Sequence, residues 1–178
     1  MADANYTMSR TGNDLIKGFR IEDIAVEDID GILDIGLRMF SGIRPLEDPA
    51  LYYYFYPDHS ISKQAVLDGK IIGYYLFNEE PVTEYDMNAL EDLSGYRNRK
   101  GLHALEIVVL PEYRGLSYGR QLRDIPLGMN EYDYIWGCHI KSLNNLDNWL
   151  RYGRRLVGET KGEYVTLMDL EEKRNKCL

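Results

Sequence analysis

The N-terminal third of the chain shows two kinds of hydrophobic spacing. In Phe19–Ala25 apolar and polar residues alternate, which predicts a half-buried strand. Asp48-Pro49 then opens a second pattern through the aromatic run Tyr52–Tyr56, which predicts a short helix or turn that Pro57 ends. Between them, apolar residues recur every three or four positions and predict a helix that ends near Gly42: Ile29, Ile32, Leu33, Leu37 and Phe40.

A hairpin and a polar insertion follow. Ser62–Leu67 and Lys70–Phe77 are apolar-rich runs on either side of Asp68-Gly69, a dipeptide that favours a tight hairpin turn. Glu80–Lys100 has weak periodicity and many polar residues, which predicts an inserted loop with one helical turn. The sequence therefore predicts two antiparallel strands followed by a long connection.

The C-terminal half alternates between strands and helices. Three strands are expected, at Leu102–Leu110, Asp133–Ile140 and Glu163–Leu170, with a charged tail after the last. Helices are expected at Ser117–Ile125, which Pro126 shortens or kinks, and at Leu146–Leu156. Hairpin strands followed by alternating units indicate an α/β fold with a mixed sheet and helices on its faces.

Composition and charge restrict the function. The 178 residues suit a single domain at 16–172, preceded by a polar, flexible N-terminus at 1–15 without a secretory apolar region. A net charge of -8 argues against general binding to nucleic acid or anionic membranes. The cysteines and histidines lack metal-ligand spacing, so we expect no metal site. A reducing, cytoplasmic location is the default expectation.

One segment, Leu105–Leu122, has the order strand, Gly-bearing turn, helix. This order directs free backbone N–H groups and a helix N-terminus at one point, which makes an anion site. Gly115 and Gly119 permit close backbone approach, and Arg114 and Arg120 are able to add charged contacts to phosphate oxygens. The alternative is a purely structural strand-to-helix turn. The segment is neither a Walker loop nor a dinucleotide-binding G-x-G-x-x-G motif.

The stretch Val109–Leu122 resembles motif A of the GNAT superfamily of N-acetyltransferases, V-x-P-x-x-[QR]-x-x-G-x-[GA]. Arg114 stands at the Q/R position and Gly119 at the last small position, whereas Ser117 replaces the usual middle glycine. The resemblance runs from about Phe19 to Leu170 and implies a mostly antiparallel sheet with a splayed acyl-CoA cleft. The acetyl-CoA-binding residues that it implies are Val108, Val109, Leu110, Arg114, Gly115, Leu116, Ser117, Tyr118, Gly119, Arg120 and Asn145.

A second match lies downstream, at Asn145 and Tyr152. GNAT members often carry an Asn here and a Tyr seven residues later on the following helix. Asn145 is expected to hydrogen-bond the pantetheine arm, with capping of the helix at Leu146 as the alternative. The Gly-Phe pair usual after that Tyr is missing, and Arg155–Val157 occupies the region instead.

The resemblance also implies a mechanism, in which a primary amine attacks the thioester of acetyl-CoA. Glu106 is the candidate base that takes the ammonium proton, and its alternative role is an ion-pair partner or a residue at the strand margin. The backbone N–H at or beside Val109 is the family's means of stabilising the oxyanion. Tyr152 resembles the family's general acid for the departing thiolate, with core packing as the alternative.

The acceptor site is expected in Arg44–His59 and in the Glu80–Lys100 insertion. The rings of Tyr52–Tyr56 either line an amine pocket by cation–π contact or simply pack. The prediction is an acetyl-CoA-dependent N-acetyltransferase that acts on a small-molecule or peptide amine. One alternative is a non-catalytic GNAT-like module for acyl-CoA or protein binding, and another is an interaction protein whose basic turn binds a different anion. Dimers are common in the family, so a homodimer is a further expectation.

Overall fold

A sheet of eight strands forms the centre of the computed structural model, which describes residues 18–40, 42–43 and 48–176. The strands are β1 (Phe19–Asp23), β2 (Lys63–Leu67), β3 (Lys70–Glu79), β4 (Asn88–Ala89), β5 (Gly101–Val109), β6 (Tyr134–Ile140), β7 (Arg155–Glu159) and β8 (Glu163–Asp169). The helices are α1 (Ile29–Phe40), α2 (Pro49–Phe55), α3 (Tyr118–Asp124), α4 (Leu146–Tyr152) and α5 (Leu170–Lys176). The strands lie in the order β1-β2-β3-β5-β6-β8-β7-β4.

The pairing between β5 and β6 differs from every other pairing in this sheet. It is parallel, whereas the other neighbours are antiparallel. It also extends only over Gly101–His103 and Tyr134–Trp136, after which the two strands diverge. The middle of the sheet therefore opens into a cleft. The predicted α/β class, with a mostly antiparallel sheet flanked by helices, is confirmed.

The two faces of the sheet carry different helices. On what we call the front face, α1 and α2 pack on Tyr74 and Leu76 of β3. On the back face, α3 and α5 pack on Tyr75 and Phe77 of the same strand. Successive strand residues point to opposite faces, so adjacent tyrosines serve separate cores. The back face also carries α4, whose Trp149 contacts the ring of His139 on β6.

Several predicted elements form for the reasons read from the sequence. The Asp48 carboxylate caps α2 by accepting a hydrogen bond from the N–H of Leu51 at 3.2 Å, and Pro49 occupies the first turn. The β2–β3 hairpin turns at Asp68 and Gly69, which have φ values of 49° and 82°. Both values suit an Asp-Gly turn, because Gly and Asp tolerate positive φ. The predicted bounds of β1 and α1 also agree closely with the structure.

Other predictions were wrong in detail. The helix predicted over Leu146–Leu156 ends at Tyr152, because Gly153 takes a left-handed φ of 108° and caps it. Strand β7 follows at Arg155, and the charged tail forms α5. The Glu80–Lys100 insertion contains two 3-10 turns and also β4, which pairs with β7. Leu37 is 40% exposed, whereas Ile35 takes the buried position on α1.

Some predictions fall outside what the structure describes. The flexible N-terminus at 1–15 lies outside the described residues, as does Arg44 at the start of the expected acceptor region. Among the described helices, none has the length and apolar character that crossing a membrane requires. Within the same residues, no three His, Cys, Asp or Glu side chains come together as metal ligands could.

Candidate active site

The turn between β5 and α3 follows the predicted strand-turn-helix order. After the 3-10 turn Pro111–Tyr113, the Arg114 Nε donates a hydrogen bond to the Val109 carbonyl at 3.1 Å, which ties the turn to the strand end. Gly115 and Ser117 have φ values of 82° and 67°. The N–H of Gln121 donates to the Ser117 carbonyl. The N–H groups of the preceding helical positions have no helical acceptor and remain available to an anion.

Gly119 lies in the first turn of α3 and is not required by internal packing. A Cβ atom built there would lie 3.6 Å from Val109 Cγ2, an ordinary van der Waals contact. The missing side chain therefore leaves space beside Val109, in the helical turn that carries the free N–H groups. The side chains of Arg114, Leu116 and Arg120 are exposed around it, whereas Tyr118 is buried against Phe19. Only the backbone of Tyr118 is thus available to a ligand of the turn.

A cavity of about 200 Å³ occupies the gap between the diverging β5 and β6. Its walls come from both faces of the sheet, with Phe40 and Tyr56 from the front and Tyr75 and Trp149 from the back. The predicted residues Glu106 and Asn145 both line it. The remaining wall residues are Tyr85, His103, Ala104, Leu105, Ile107, Cys138, His139, Ile140, Leu143, Arg154 and Glu163.

Backbone groups of β5 also face this gap. The N–H of Leu110 donates to the Ile72 carbonyl of β3 at 2.9 Å. Backbone groups alternate in direction along an antiparallel strand, so those of Ile107 and Val109 point away from β3, toward β6. Beyond His103 no β6 residue pairs with β5. The predicted oxyanion donor, the N–H of Val109, is therefore directed into the cleft.

The Glu106 carboxylate lies on the front wall of the cavity. The side chain is 7% exposed, and its Oε1 accepts hydrogen bonds from the Tyr53 hydroxyl, at 2.9 Å, and from the Tyr74 hydroxyl. Burial, followed by the Glu106 charge, raises the pKa of both phenols, which keeps them protonated as donors. A bulge in the β3–β5 pairing between Leu76 and Phe77 turns this part of β5.

Gly36 of α1 makes room for the Tyr53 phenol. A Cβ atom at position 36 would collide with Tyr53 Oη. We therefore expect Gly36→Ala to lower the free energy of unfolding by about 1–3 kcal/mol through overpacking, despite the better helix propensity of Ala. Gly31→Ala on the same helix is the matched control, since its Cβ would meet only the flexible tip of Ile71 at 3.3 Å. Urea unfolding measures both, and equal stability of the two variants would contradict the expectation.

Asn145 takes part in the cavity and does not cap α4. The residue stands at the N-cap position, but its side chain makes no capping hydrogen bond. Its Oδ1 is buried without a hydrogen-bond partner in the described part of the chain. A buried unpaired carbonyl oxygen costs free energy unless a ligand donates to it.

Tyr152 lies behind the cavity wall. Its hydroxyl donates to Asp124 Oδ1 at 2.8 Å and contacts the Arg123 carbonyl at 3.1 Å, at the end of α3. Burial, followed by the hydrogen bond to Asp124, raises the pKa of this phenol. The Tyr152 phenol is therefore protonated and reaches from α4 to the end of α3. The structure brings Glu106 and Asn145, but not Tyr152, into the cavity wall.

The comparisons with known proteins agree with this geometry. Residues 29–124, more than half of the 178-residue chain, match the Acetyltransferase (GNAT) family. The chain belongs to the GNAT acetyltransferase family. No curated protein matches this family member closely enough in sequence to count as a relative.

Solved structures share the fold of this GNAT protein at low sequence identity. A GNAT-family acetyltransferase from Listeria monocytogenes is 19% identical, with a TM-score of 0.61 over 85% of this chain and 94% of that chain. Naa50 from Arabidopsis thaliana, in complex with the bisubstrate analogue CoA-Ac-MVNAL, is 15% identical, with a TM-score of 0.59 over 85% and 99%. The PaiA N-acetyltransferase from Thermoplasma acidophilum, in complex with coenzyme A, is 10% identical, with a TM-score of 0.58 over 85% and 98%.

The aromatic run of the GNAT protein's α2 divides between packing and the cavity. Tyr53 is buried on Glu106, and Tyr52 stacks on Tyr56, which lines the cavity. The Tyr54 hydroxyl donates to Asp30 of α1, and Phe55 is 78% exposed. Of this run, Tyr56 is therefore the ring best placed to meet an acceptor.

Among the residues that sequence reasoning missed are Tyr74, which donates to Glu106, and two residues of the cavity wall, His139 and Arg154. Each acts through contacts with residues distant in sequence, so no local spacing marks it. Only Arg154 carried a signal, since it directly follows Gly153, a glycine typical of a helix C-terminus.

We expect the buried His139 to make the protein sensitive to acid. Burial, together with the charge of Arg154, lowers the pKa of His139 from 6.5 to about 3. Below pH 6.5 the imidazole of His139 is protonated in the unfolded chain but stays neutral in the folded protein. The free energy of unfolding therefore falls as the pH drops from 6.5 toward 3. The loss approaches about 1.4 kcal/mol per pH unit. We expect His139→Gln to flatten this dependence in urea unfolding at a series of pH values. An unchanged slope would show that other groups cause it.

Proposed function

We propose that this GNAT protein transfers an acetyl group from acetyl-CoA to a primary amine of a small molecule or peptide. The observation that carries the proposal is the buried Glu106 carboxylate in the wall of a cavity that joins both faces of the sheet. The segment Arg114–Arg120, which includes the first turn of α3, lies at the start of the helix that packs on the back face. Glu106, by contrast, contacts α2 on the front face. Donor and acceptor thus have separate approaches to one cavity.

The coenzyme A part of the proposal rests on two sets of polar groups that have no hydrogen-bond partner among the described residues. The N–H groups of Gly115–Arg120 would bind the pyrophosphate, with Arg114 and Arg120 adding charge from either side. The unpaired Oδ1 of Asn145 would accept a hydrogen bond from a pantetheine amide. When bound in this way, acetyl-CoA supplies a thioester carbonyl in the gap between β5 and β6.

Glu106 is the proposed base. An alkylammonium is charged at neutral pH and has no lone pair for attack, so a nearby carboxylate must remove its proton, directly or through water. The free amine then attacks the thioester carbon and a C–N bond forms. The C–S bond breaks, and the nitrogen loses one more proton, to solvent, as the amide forms. The N–H of Val109, directed into the cleft, would stabilise the negative charge that develops on the carbonyl oxygen.

Tyr152 is the proposed proton donor to the departing thiolate. Its phenol is protonated at neutral pH, but the raised pKa makes it a weak acid, so transfer of the proton would require the pKa to fall once the hydroxyl leaves Asp124. To reach the sulfur, the hydroxyl would exchange its hydrogen bond with Asp124 for one with the thiolate. Turnover of Tyr152→Phe tests this role, because Phe keeps the packing against Trp149 and removes only the hydroxyl. Unchanged turnover would assign Tyr152 to packing alone.

The acceptor is proposed to carry an ammonium group. Two carboxylates, Glu106 and Glu163, line the cavity, and the Tyr85 hydroxyl donates to Glu163 at 2.9 Å. This pair of carboxylates favours binding of the ammonium group of the acceptor. Of the similar structures, Naa50 was solved with an analogue that joins coenzyme A to the peptide MVNAL, so peptides belong among the amines to be tested.

A second candidate is a protein that binds acyl-CoA without turnover. It is favoured by Ser117, a non-glycine residue at a φ of 67° where the family usually has glycine. Calorimetry with acetyl-CoA and CoA, followed by a thiol-release assay on alkylamines, polyamines, aminoglycosides and peptides, separates the two. Binding with amine-dependent release supports transfer, binding without release under any amine supports the second candidate, and no binding contradicts both.

A further inference from the structure

Arg154 is a cation buried in the back wall of the cleft. The residue directly follows Gly153 at the end of α4, and it is 4% exposed. Its guanidinium donates to the Tyr75 hydroxyl at 3.2 Å and to Thr166 Oγ1 at 3.4 Å, and it lies over the Trp149 ring at 4.6 Å. All of these partners are neutral groups.

Among the described residues, the guanidinium has no carboxylate as a counter-ion. In the part of the chain that the structure describes, no Asp or Glu forms an ion pair with Arg154, and its buried Nε has no hydrogen-bond acceptor. Two hydroxyls and one aromatic face compensate only part of the cost of removing a charge from water. An anion that enters the cavity would supply the negative charge and the hydrogen-bond acceptor that the guanidinium lacks.

The sheet is shaped to hold this side chain. A Cβ atom at Gly137 of β6 would lie 3.1 Å from the Arg154 Nη1 and 2.8 Å from the Ala104 carbonyl, so the position stays a glycine. The imidazole of His139, which also lines the cavity, is neutral above about pH 3. It therefore does not compete with Arg154 for an anion. The guanidinium thus lines the cavity on the same back face as Asn145.

We propose that Arg154 is an anion-recognition site that binds a carboxylate carried by one of the two substrates inside the cleft. The carboxylate is either the terminal group of the acyl chain on the donor or the carboxylate of the acceptor amine. This inference rests on the proposed acyl transfer and deepens it, since it names the chemical class of the substrate. A guanidinium recognises a carboxylate through two parallel N–H donors, and Nε is one of the donors used in that geometry.

Two arms of one experiment distinguish the sources. In the donor arm, calorimetry compares succinyl-CoA with butyryl-CoA, which has the same number of acyl carbons without the carboxylate. In the acceptor arm, a thiol-release assay compares the KM of amino acids with that of their amides. We expect the carboxylate-bearing member of one pair to be favoured by roughly 10- to 100-fold, the range of a charge-assisted hydrogen bond.

The variants show whether Arg154 causes the preference. Arg154→Met should abolish it and Arg154→Lys should keep part of it, while binding of free CoA to each variant reports that the fold is intact. Arg155→Met is the matched control, because the Arg155 side chain contacts Glu91 and Tyr96 instead of the cavity, and it should keep the full preference.

Two results would overturn the proposal: no preference for the carboxylate in either arm, or a preference that survives in Arg154→Met. The donor arm does not depend on acyl transfer, since it measures binding; the acceptor arm reads the preference only where amine-dependent release occurs, and without such release the donor arm alone decides. A preference for succinyl-CoA together with no amine-dependent thiol release would keep the anion site and remove the proposed catalysis. Amine-dependent thiol release from acetyl-CoA without any preference for a carboxylate would keep the proposed catalysis and remove the anion site.

Discussion

Glu106→Gln should lower kcat by roughly 100- to 10,000-fold, the usual contribution of a positioned general base. The Gln amide oxygen is able to accept the hydrogen bonds that Tyr53 and Tyr74 now donate to Oε1, so the cavity should keep its shape. The amide is unable to take a proton from the ammonium. We therefore expect the KM for acetyl-CoA to stay within a few-fold of the parent value while kcat falls.

The control for this experiment is Tyr53→Phe, which removes one donor to the carboxylate and leaves the base in place. Its kcat should fall far less than that of Glu106→Gln. Steady-state thiol release at saturating amine measures both variants, and urea unfolding shows that both are folded. If Glu106→Gln turns over at the parent rate, Glu106 is a structural partner of the two tyrosines and the proposed base must be another group.

Gly119→Glu should weaken CoA binding by roughly 100-fold without weakening the fold. A carboxylate beside the pyrophosphate adds about 3 kcal/mol of repulsion at a surface site. The fold itself has room for a side chain here, since the nearest atom to a Cβ is 3.6 Å away. An acidic residue in the first turn of a helix stabilises that helix by about 0.3–1 kcal/mol. Stability and binding should therefore change in opposite directions.

Two matched variants separate charge from size at this position. Gly119→Gln has the shape of Glu without its charge, and Gly119→Ala adds only a methyl group. Calorimetry with CoA should rank the affinities Gly, Ala, Gln and Glu from tightest to weakest, with the largest step between Gln and Glu. Equal losses for Gln and Glu would indicate a steric effect, and no loss for Glu would mean that the turn does not bind the pyrophosphate.

The sequence predicted best where backbone conformation limits the choice of residue. Pro111, Gly115 and the start of α3 specify the turn through local geometry alone, and the Asp68-Gly69 hairpin forms for the same reason. The family resemblance added what local geometry does not contain, namely the expectation that the turn is an acyl-CoA site. Glu106 also stands out by its chemistry, since a carboxylate in an apolar strand requires a partner or a purpose, and the structure places it in the cavity wall.

The predictions failed where long-range contacts decide. Arg154 and Tyr75 meet across 79 positions of sequence, and Tyr74 reaches Glu106 across 32. Neither pair leaves a periodic signal. The two-residue strand β4 forms only because β7 pairs with it. The start of β7 was predicted as helix, because its apolar residues also continue the spacing of α4. In each case the tertiary partner, absent from the local sequence, determines the outcome.

A crystal structure of the protein with coenzyme A bound tests the central claim most directly. We expect pyrophosphate oxygens about 3 Å from backbone nitrogens of Gly115–Arg120. A pantetheine amide should donate to Asn145 Oδ1, and the sulfur should lie between β5 and β6, in the cavity that Glu106 lines. A pyrophosphate bound away from the turn, or a pantetheine arm that runs outside the gap between these strands, would contradict the account.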